Sequence, residues 1–420
     1  MLVLRPLRGA LAETGKRTGT HYQVTWQDFP SGPPLTAQMI AGKVDIGSMG
    51  DYSVLVNGSK TSQYPDARSE LVAITGYNLR GSLNQIVVPT GSAARTLSDL
   101  RSQVISTSVG SAAHGMLVNA LRRNGLTPAD VKVLNQDPSV GASALEGKQV
   151  AALAQFVPWP QLMIFRKQAH LLYDGGSNGV PTFHAVVARQ AFSTAHPEVL
   201  QAFLESVRDT ADYLNQHPLE AAQKVGSITG LEPEVVYLYN GPNGLVSFDM
   251  TIKQRQVEAM TQIVPFLKDL GSVQNLDLGT FVNDSYLRKV YGSSYDADRA
   301  DLTNPDRLSG TDPACGLPVD DPRTASEVWF AGDNSTKVAA TPTCLLQQIK
   351  TRGSAVRAAY VPDTSNGTRI FAATATWVLD PAAPAPSRLK PFATTADGDG
   401  YVTGHPTSHE VDYPAALATM

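Results

Sequence analysis

The first 292 residues predict an α/β protein, and the remainder, after a linker, predicts a small α+β unit. Short apolar strands alternate with helical stretches from His21 to Ala188, the pattern of sheets covered by helices on both faces. From 197 to 291 the spacing turns mainly helical, as in Val199, Phe203, Val207 and Ala211. The charge then changes: residues 1–292 carry 24 Lys and Arg against 23 Asp and Glu, whereas 293–420 carry 10 against 15.

Each element has its local reason. His21-Tyr-Gln-Val-Thr-Trp-Gln27 alternates and is rich in β-formers, so it predicts a strand. Asp28–Pro34 is a turn, its Ser-Gly-Pro-Pro opens a helix over 35–41, and Gly42 stops that helix. Further strands are expected at 44–47, 71–75, 85–89, 103–107, 131–134, 150–154 and 182–188. Helices are expected at 52–58, at 112–124 before Gly125, and after Pro160; residues 7–15 read as the tail of an opening helix. The strands imply parallel sheets. Residues 293–310 are polar and Asp-rich, a linker. Beyond it, strands are expected at 326–330, 355–361, 368–373 and 375–379, with one helix at 343–350 and a stiff Pro-rich loop at 381–386.

Composition removes several classes of function. The chain has 420 residues, 42% hydrophobic and 17% charged, with a net charge of -4. That is a globular composition without the basic stripe a nucleic acid would need. No apolar run reaches the length of a membrane span, and Met1-Leu-Val-Leu-Arg-Pro6 is too short for an export signal. Gly175-Gly-Ser-Asn-Gly179 has the letters of a Gly-x-Ser-x-Gly elbow but runs into the strand expected at 182–188 instead of a helix, and there is no Walker loop or His-Glu-x-x-His.

In open α/β sheets ligands sit off the carboxyl ends of strands. The turns at 28–34, 48–51, 108–111 and 156–160 all follow strands. Ser31-Gly32 and Ser108-Val-Gly110-Ser111 precede helices, whose first N–H groups and positive dipole end receive anions; the competing reading is ordinary N-capping. Trp26, Phe29, Pro158 and Trp159 are candidate pocket walls or core residues. Met49, Gly50 and Asp51 line the next strand end, with Asp51 bonding a ligand or capping its helix. His184, on a returning strand, contacts ligand or is a structural histidine. Arg80 is the one cation near these turns in sequence, facing an anion or simply solvated.

The run Trp26–Pro34, then Ala41-Gly-Lys-Val-Asp-Ile-Gly47, then Gly50-Asp51 resembles the opening of nitrate/sulfonate/taurine-type solute-binding proteins. Leu97-Ser-Asp-Leu100, Gly147-Lys-Gln-Val150, Pro158-Trp159 and His196-Pro-Glu198 follow in the same order, so the resemblance covers residues 7–292. Gln149-Val-Ala-Ala departs from that family's Gly-x-Val-Asp-Ala pattern. The resemblance implies a two-lobed periplasmic-binding-protein type II fold with a hinge near 86–89 and 183–187. Lobe one would be 1–87 with 184–292, and lobe two 88–183. It also implies a first strand and an export signal lost from the start of this sequence. The expected role is the substrate-binding component of an ABC importer, capturing a small anionic, sulfonate-, nitrate- or taurine-like solute. Its partners would be permease and ATPase subunits. Its place would be periplasmic or extracellular, at the membrane only through the permease or a missing lipoprotein anchor. Desulfinases and pyrimidine-synthesis proteins sharing this fold keep an enzyme as an alternative; they use a reactive Cys or His, and this chain has no Cys before 315. No catalytic residue is therefore assigned.

In the tail, Asp312-Pro-Ala-Cys315-Gly-Leu-Pro-Val319 is similar to the Cys-x-x-Cys-Gly-Met-x-Val opening of NosL-type copper-handling lipoproteins, over 306–412 within a 311–420 unit. Here Asp312 stands for the first Cys and Leu317 for the Met. That resemblance makes copper the one metal to test, with Cys315 and Cys344 as ligands and a copper-handling role as the second alternative. In an exported protein the same two sulfurs more readily form a disulfide. No other cofactor is expected.

Overall fold

The computed structural model describes residues 4–353 and 355–420. Its opening helix, α1 (Leu4–Thr18), buries Leu7 and Leu11 against Ala202 of α8 (Pro197–Gln216). The first sheet holds β1 (Ile46–Gly50), β2 (Ser69–Asn78) and β8 (Thr182–Arg189) in the order β1-β8-β2. Helices α2 (Gly32–Ile40), α3 (Asp51–Thr61) and α8 pack around it, with Leu35, Met39, Leu55, Leu200 and Leu204 in one core with Val72, Ile74 and Val186.

The second sheet holds β3 (Asn84–Pro89), β4 (Val104–Thr107), β5 (Lys132–Asn135), β6 (Ala152–Phe156) and β7 (Ala169–Asp174), in the order β5-β4-β6-β3-β7. Alternate side chains serve opposite faces, as the pleat requires. Ile86, Val88, Ala152 and Ala154 meet α4 (Ala112–Arg123) through Leu117 and Leu121. Val87 and Leu153 meet α5 (Pro138–Glu146) and α6 (Trp159–Phe165) through Leu145 and Met163. The chain passes between the sheets at 79–83 and 175–181, a few residues ahead of the strands where the hinge was expected.

Two expectations need correction. The parallel pairing holds only for β4 with β5 and β6; β8 returns between β1 and β2 and pairs antiparallel with both, and β3 is antiparallel to β6 and β7. The strand expected at 21–27 is absent. Tyr22 and Val24 do turn inward, onto Leu7 and Leu11, but Gln23–Phe29 make no backbone hydrogen bond among the described residues. Alternation without an adjacent strand gives extended chain, not a sheet. Strand β7 was not anticipated.

The helical stretch breaks into pieces where proline or a left-handed glycine stops it. After α7 (Gln190–Ala195) and α8 come α9 (Pro218–Thr229), ended by Gly230 at φ 75, and α10 (Pro233–Asn240). Residues 241–253 are not helical but run beside β2, where Ile74 and Tyr77 donate to Met250 O and Ser247 O at 3.1 and 3.0 Å. Then follow α11 (Gln254–Asp269), α12 (Leu278–Phe281), α13 (Ser285–Tyr291) and, inside the expected linker, α14 (Tyr295–Ala300).

The C-terminal unit is α+β, every strand pair antiparallel. After the hairpin β9 (Gly310–Thr311) and β10 (Pro318–Val319) come β11 (Ser326–Phe330), β12 (Lys337–Ala339), α15 (Pro342–Arg352), β13 (Val356–Pro362) and β14 (Arg369–Phe371), in the sheet order β12-β11-β13-β14. A second sheet, β16-β15-β17, joins β15 (Thr376–Leu379), β16 (Leu389–Phe392) and β17 (His409–Val411). Strands β9, β10, β12, β16 and β17, each of two to four residues, were not anticipated.

This unit is fastened to both preceding sheets. Arg369 and Glu327 form a buried ion pair at 2.6 Å, and the same guanidinium donates to Pro242 O. Arg357 bonds Glu234 of α10 at 2.6 Å, and Phe371 meets Phe165 of α6 at 5.2 Å between ring centroids. At the crossing segments, Asp174 accepts from Thr368 Oγ1 at 3.0 Å and Ser82 Oγ at 3.1 Å, while Arg80 donates to Asn366 O. Arg80 is thus engaged with the C-terminal unit rather than aimed at an anion.

Candidate functional site

The carboxyl ends of β1 and β6, and the starts of α2 and α4, face one another across the gap between the sheets. A cavity of about 1140 Å³ lies there. Of the residues singled out in the sequence, it brings together Trp26, Phe29, Ser31, Gly32, Met49, Gly50, Ser111 and His184. Two helix starts point into it. Ser31 precedes α2 and makes no side-chain cap, so the capping reading does not hold there. Ser111 precedes α4 and does cap it, accepting from His114 N–H at 3.4 Å. Gly32 sits where a Cβ would fall 2.3 Å from Ser53 Cβ, which accounts for glycine at the tightest point between α2 and α3.

Five candidates do not line the cavity. Ser108 is buried, donating to Gln136 O at 3.0 Å and accepting from Gln155 Nε2 at 2.8 Å. Gly110 adopts φ 85, the left-handed turn ahead of α4. Pro158 follows a cis peptide bond. Trp159 packs into the apolar clusters behind β6 and beside α10, the core role that competed with the pocket role. Asp51 does not line it either. Its carboxylate is wholly buried, accepting from Tyr52 N–H at 2.7 Å, Thr182 Oγ1 at 3.1 Å and Phe183 N–H at 3.3 Å. Burial raises its pKa to about 7 against those hydrogen bonds. It clasps β8 to the start of α3, just beneath the cavity wall.

His184 shares its Nδ1 with Ser48 Oγ at 2.9 Å. The ring is exposed to the cavity, whose surrounding walls desolvate its charged form and lower its pKa to about 4, so it is neutral near pH 7. Lys43 is the one Lys or Arg among the described lining residues; the carboxylates there are Asp28 and Asp45, and Asp45 is paired with Arg189 at 2.7 Å. What the cavity offers is therefore neutral donors and apolar walls. Sequence reasoning missed much of that wall: Asn84, Phe156, Thr182, Phe183, Asn240 and Phe248. Phe156 ends β6 and was within reach of the strand-end rule; the others become neighbours only on folding.

In the C-terminal unit Cys315 and Cys344 are joined as a disulfide. The carboxylate of Asp312 lies within 4.8 Å of both sulfurs, but it already accepts from Ala314, Cys315 and Ala340 N–H groups at 2.8, 3.0 and 2.7 Å. Bonded sulfurs and a committed carboxylate do not make the thiolate or thioether set that Cu(I) prefers. The residues as arranged do not fit the expected copper site.

The comparisons with known proteins agree with this geometry. Residues 29–221 match the NMT1/THI5 like family. A putative aliphatic sulfonates-binding protein of Bacillus subtilis is 26% identical over 272 residues, 64% of this chain and 78% of that protein. The taurine-binding periplasmic protein of Escherichia coli is 27% identical over 264 residues, 60% of this chain and 78% of that protein. The structure of the alkanesulfonate-binding protein of Xanthomonas axonopodis pv. citri bound to MOPS superposes with a TM-score of 0.56 at 23% identity, covering 68% of this chain and 95% of that one. The likeness establishes the fold: the two sheets with their helices form the two lobes of the type II periplasmic-binding-protein fold, extended here by the C-terminal sheets.

Proposed function

We propose that this chain is the solute-binding component of an ABC importer and captures a small organic anion of the sulfonate class between its lobes. The observation that carries the reading is the convergence of two helix starts, at Ser31-Gly32 and Ser111-Ala112, on one cavity between the lobes. Helix N-termini hold an anion without a guanidinium, through N–H groups the helix leaves unpaired. The relatives named above, which bind sulfonates and taurine, support the same reading. Permease and ATPase subunits are its partners on this view, and the periplasm its compartment. The Cys315–Cys344 disulfide suits an oxidising compartment. Thermal unfolding of the full chain with nitrate, taurine and a series of alkanesulfonates tests the proposal. A ligand held by the folded state alone raises the midpoint by mass action. A concentration-dependent rise with a sulfonate is expected, and a flat response across the series from folded protein would defeat the reading.

A further inference from the structure

The sheet leaves one imidazole uncovered on the cavity wall. His184 is exposed there, and its partners in register are Gly50 on β1 and Gly76 on β2. Neither neighbouring strand therefore sets a cross-strand side chain against the ring. The ring is held from the diagonal position, where Ser48 Oγ lies 2.9 Å from Nδ1. With Nδ1 occupied, Nε2 is the nitrogen left for a ligand, and a hydroxyl donating to Nδ1 makes Nε2 the protonated one.

This pair lies by the two helix starts. A Cβ on Gly50 would fall 4.0 Å from Cβ of Ala112, the first residue of α4. One on Gly32, the first residue of α2, would fall 3.6 Å from Sδ of Met49, between Ser48 and Gly50 in β1. An anion held by those starts lies beside the imidazole. Other charges nearby are committed or balanced. Lys43 stands against Asp28 and Asp45 along the lining, and Asp45 is tied to Arg189 at 2.7 Å. Asp51 is buried beneath, bonded to Thr182 and Phe183. His114 of α4 turns back to accept from Gly110 N–H at 3.4 Å, and burial raises the pKa of the Tyr239 hydroxyl. His184 is the one histidine among the described lining residues, and so the group there that can gain a positive charge near neutral pH.

We infer that Ser48 and His184 clamp the anionic head, with Nε2 donating to it, and that the imidazole takes up a proton from solvent as the anion binds. This rests on the importer reading and adds a regulation to it: capture tightens as the medium turns acidic. The sign follows from linkage. In the empty cavity the ring is protonated only below about 4. An anion beside it favours the imidazolium and raises that value. Between the two values binding takes up a proton, and proton and anion strengthen each other by the same factor. Affinity climbs as pH falls through the raised value and levels off below about 4.

The test is calorimetric titration of the full chain with propanesulfonate, whose head stays ionised throughout, in buffers of different ionisation enthalpy. Between about pH 7 and about pH 5 the affinity should rise about tenfold, with net proton uptake. His184→Gln should abolish both the slope and the uptake. Asp51→Asn should keep both, and Ser48→Ala, which frees the ring, should weaken binding about fivefold. If His184→Gln does not fold, the uptake in Asp51→Asn decides. A flat pH profile without proton uptake, a slope that survives in His184→Gln, or one that vanishes in Asp51→Asn would overturn the clamp and leave the importer reading standing. No binding of any alkanesulfonate by folded wild-type protein at any of these pH values would overturn both.

Discussion

Asp51 and His184 sit on either side of the cavity wall and titrate in opposite senses. A carboxyl held near pKa 7 by burial, against 3.8 as its ordinary value, keeps a proton in the folded chain that the unfolded chain has lost. Its contribution to stability therefore falls as pH rises from about 4 to about 7. For His184, lowered to about 4 from 6.5, the unfolded chain holds the extra proton, so its contribution rises with pH over that window. Asp51→Asn removes the titration and keeps one acceptor oxygen, for Tyr52 N–H or for Phe183 N–H but not for both, since these bond different carboxylate oxygens. Its melting midpoint relative to wild type should climb as pH goes from 4 to 7, and a pH-independent difference would show that Asp51 does not titrate there. Asp51 was visible in the sequence as a residue at a strand end. That it faces β8 rather than ligand was not, because Thr182 and Phe183 reach it only through the fold.

Helices α3 and α4 belong to different lobes and touch at one point. Gly115 of α4 lies under Tyr52 of α3, so closely that a Cβ would fall 2.1 Å from the ring. Asn119 Nδ2 donates to the Tyr52 hydroxyl at 3.3 Å. The glycine sets how near the lobes approach. Gly115→Ala should wedge them apart, as overpacked contacts must shift rather than compress. The expected result is a larger radius of gyration by small-angle scattering and about tenfold weaker binding of the proposed sulfonate ligand, about 1.4 kcal/mol. Unchanged scattering and affinity would mean the contact does not hold the lobes. The helix itself was legible from its cap at Ser111 and its stop at Gly125, but a helical spacing does not say which partner lies across the glycine. The same limit explains the missing strand at 21–27. Alternation describes one chain, whereas a strand is a property of two.

The lobes and the C-terminal unit are joined by buried polar contacts as well as apolar ones. Arg369 binds Glu327 and Pro242 O and lies over the Tyr360 ring, 4.4 Å from its centroid. Arg369→Ala would leave Glu327 buried without its cation, which in comparable pairs costs about 3–5 kcal/mol. Denaturant unfolding of the full chain should show a loss of that order. A change below about 1 kcal/mol, the range of surface pairs, would refute the buried geometry. At the crossing segments the turn before β14 bonds Asp174 and Arg80, so the C-terminal unit touches the place where lobe motion must pivot.

Period and punctuation in the sequence were enough for the alternating α/β region, the change of architecture after 292 and the starts of α2, α3, α4, α6 and α15, because these follow from which side chains repeat on one face and where proline, serine and glycine fall. They were enough for part of the cavity too, since strand ends and helix starts carry recognisable Ser and Gly. The rest needed the folded chain. The antiparallel return of β8 between β1 and β2, the engagement of Arg80 by Asn366 and the lining of one cavity by Asn84 and Asn240 all join residues distant in sequence. Local propensity has no term for such pairs; packing of the two lobes and their C-terminal sheets supplies it.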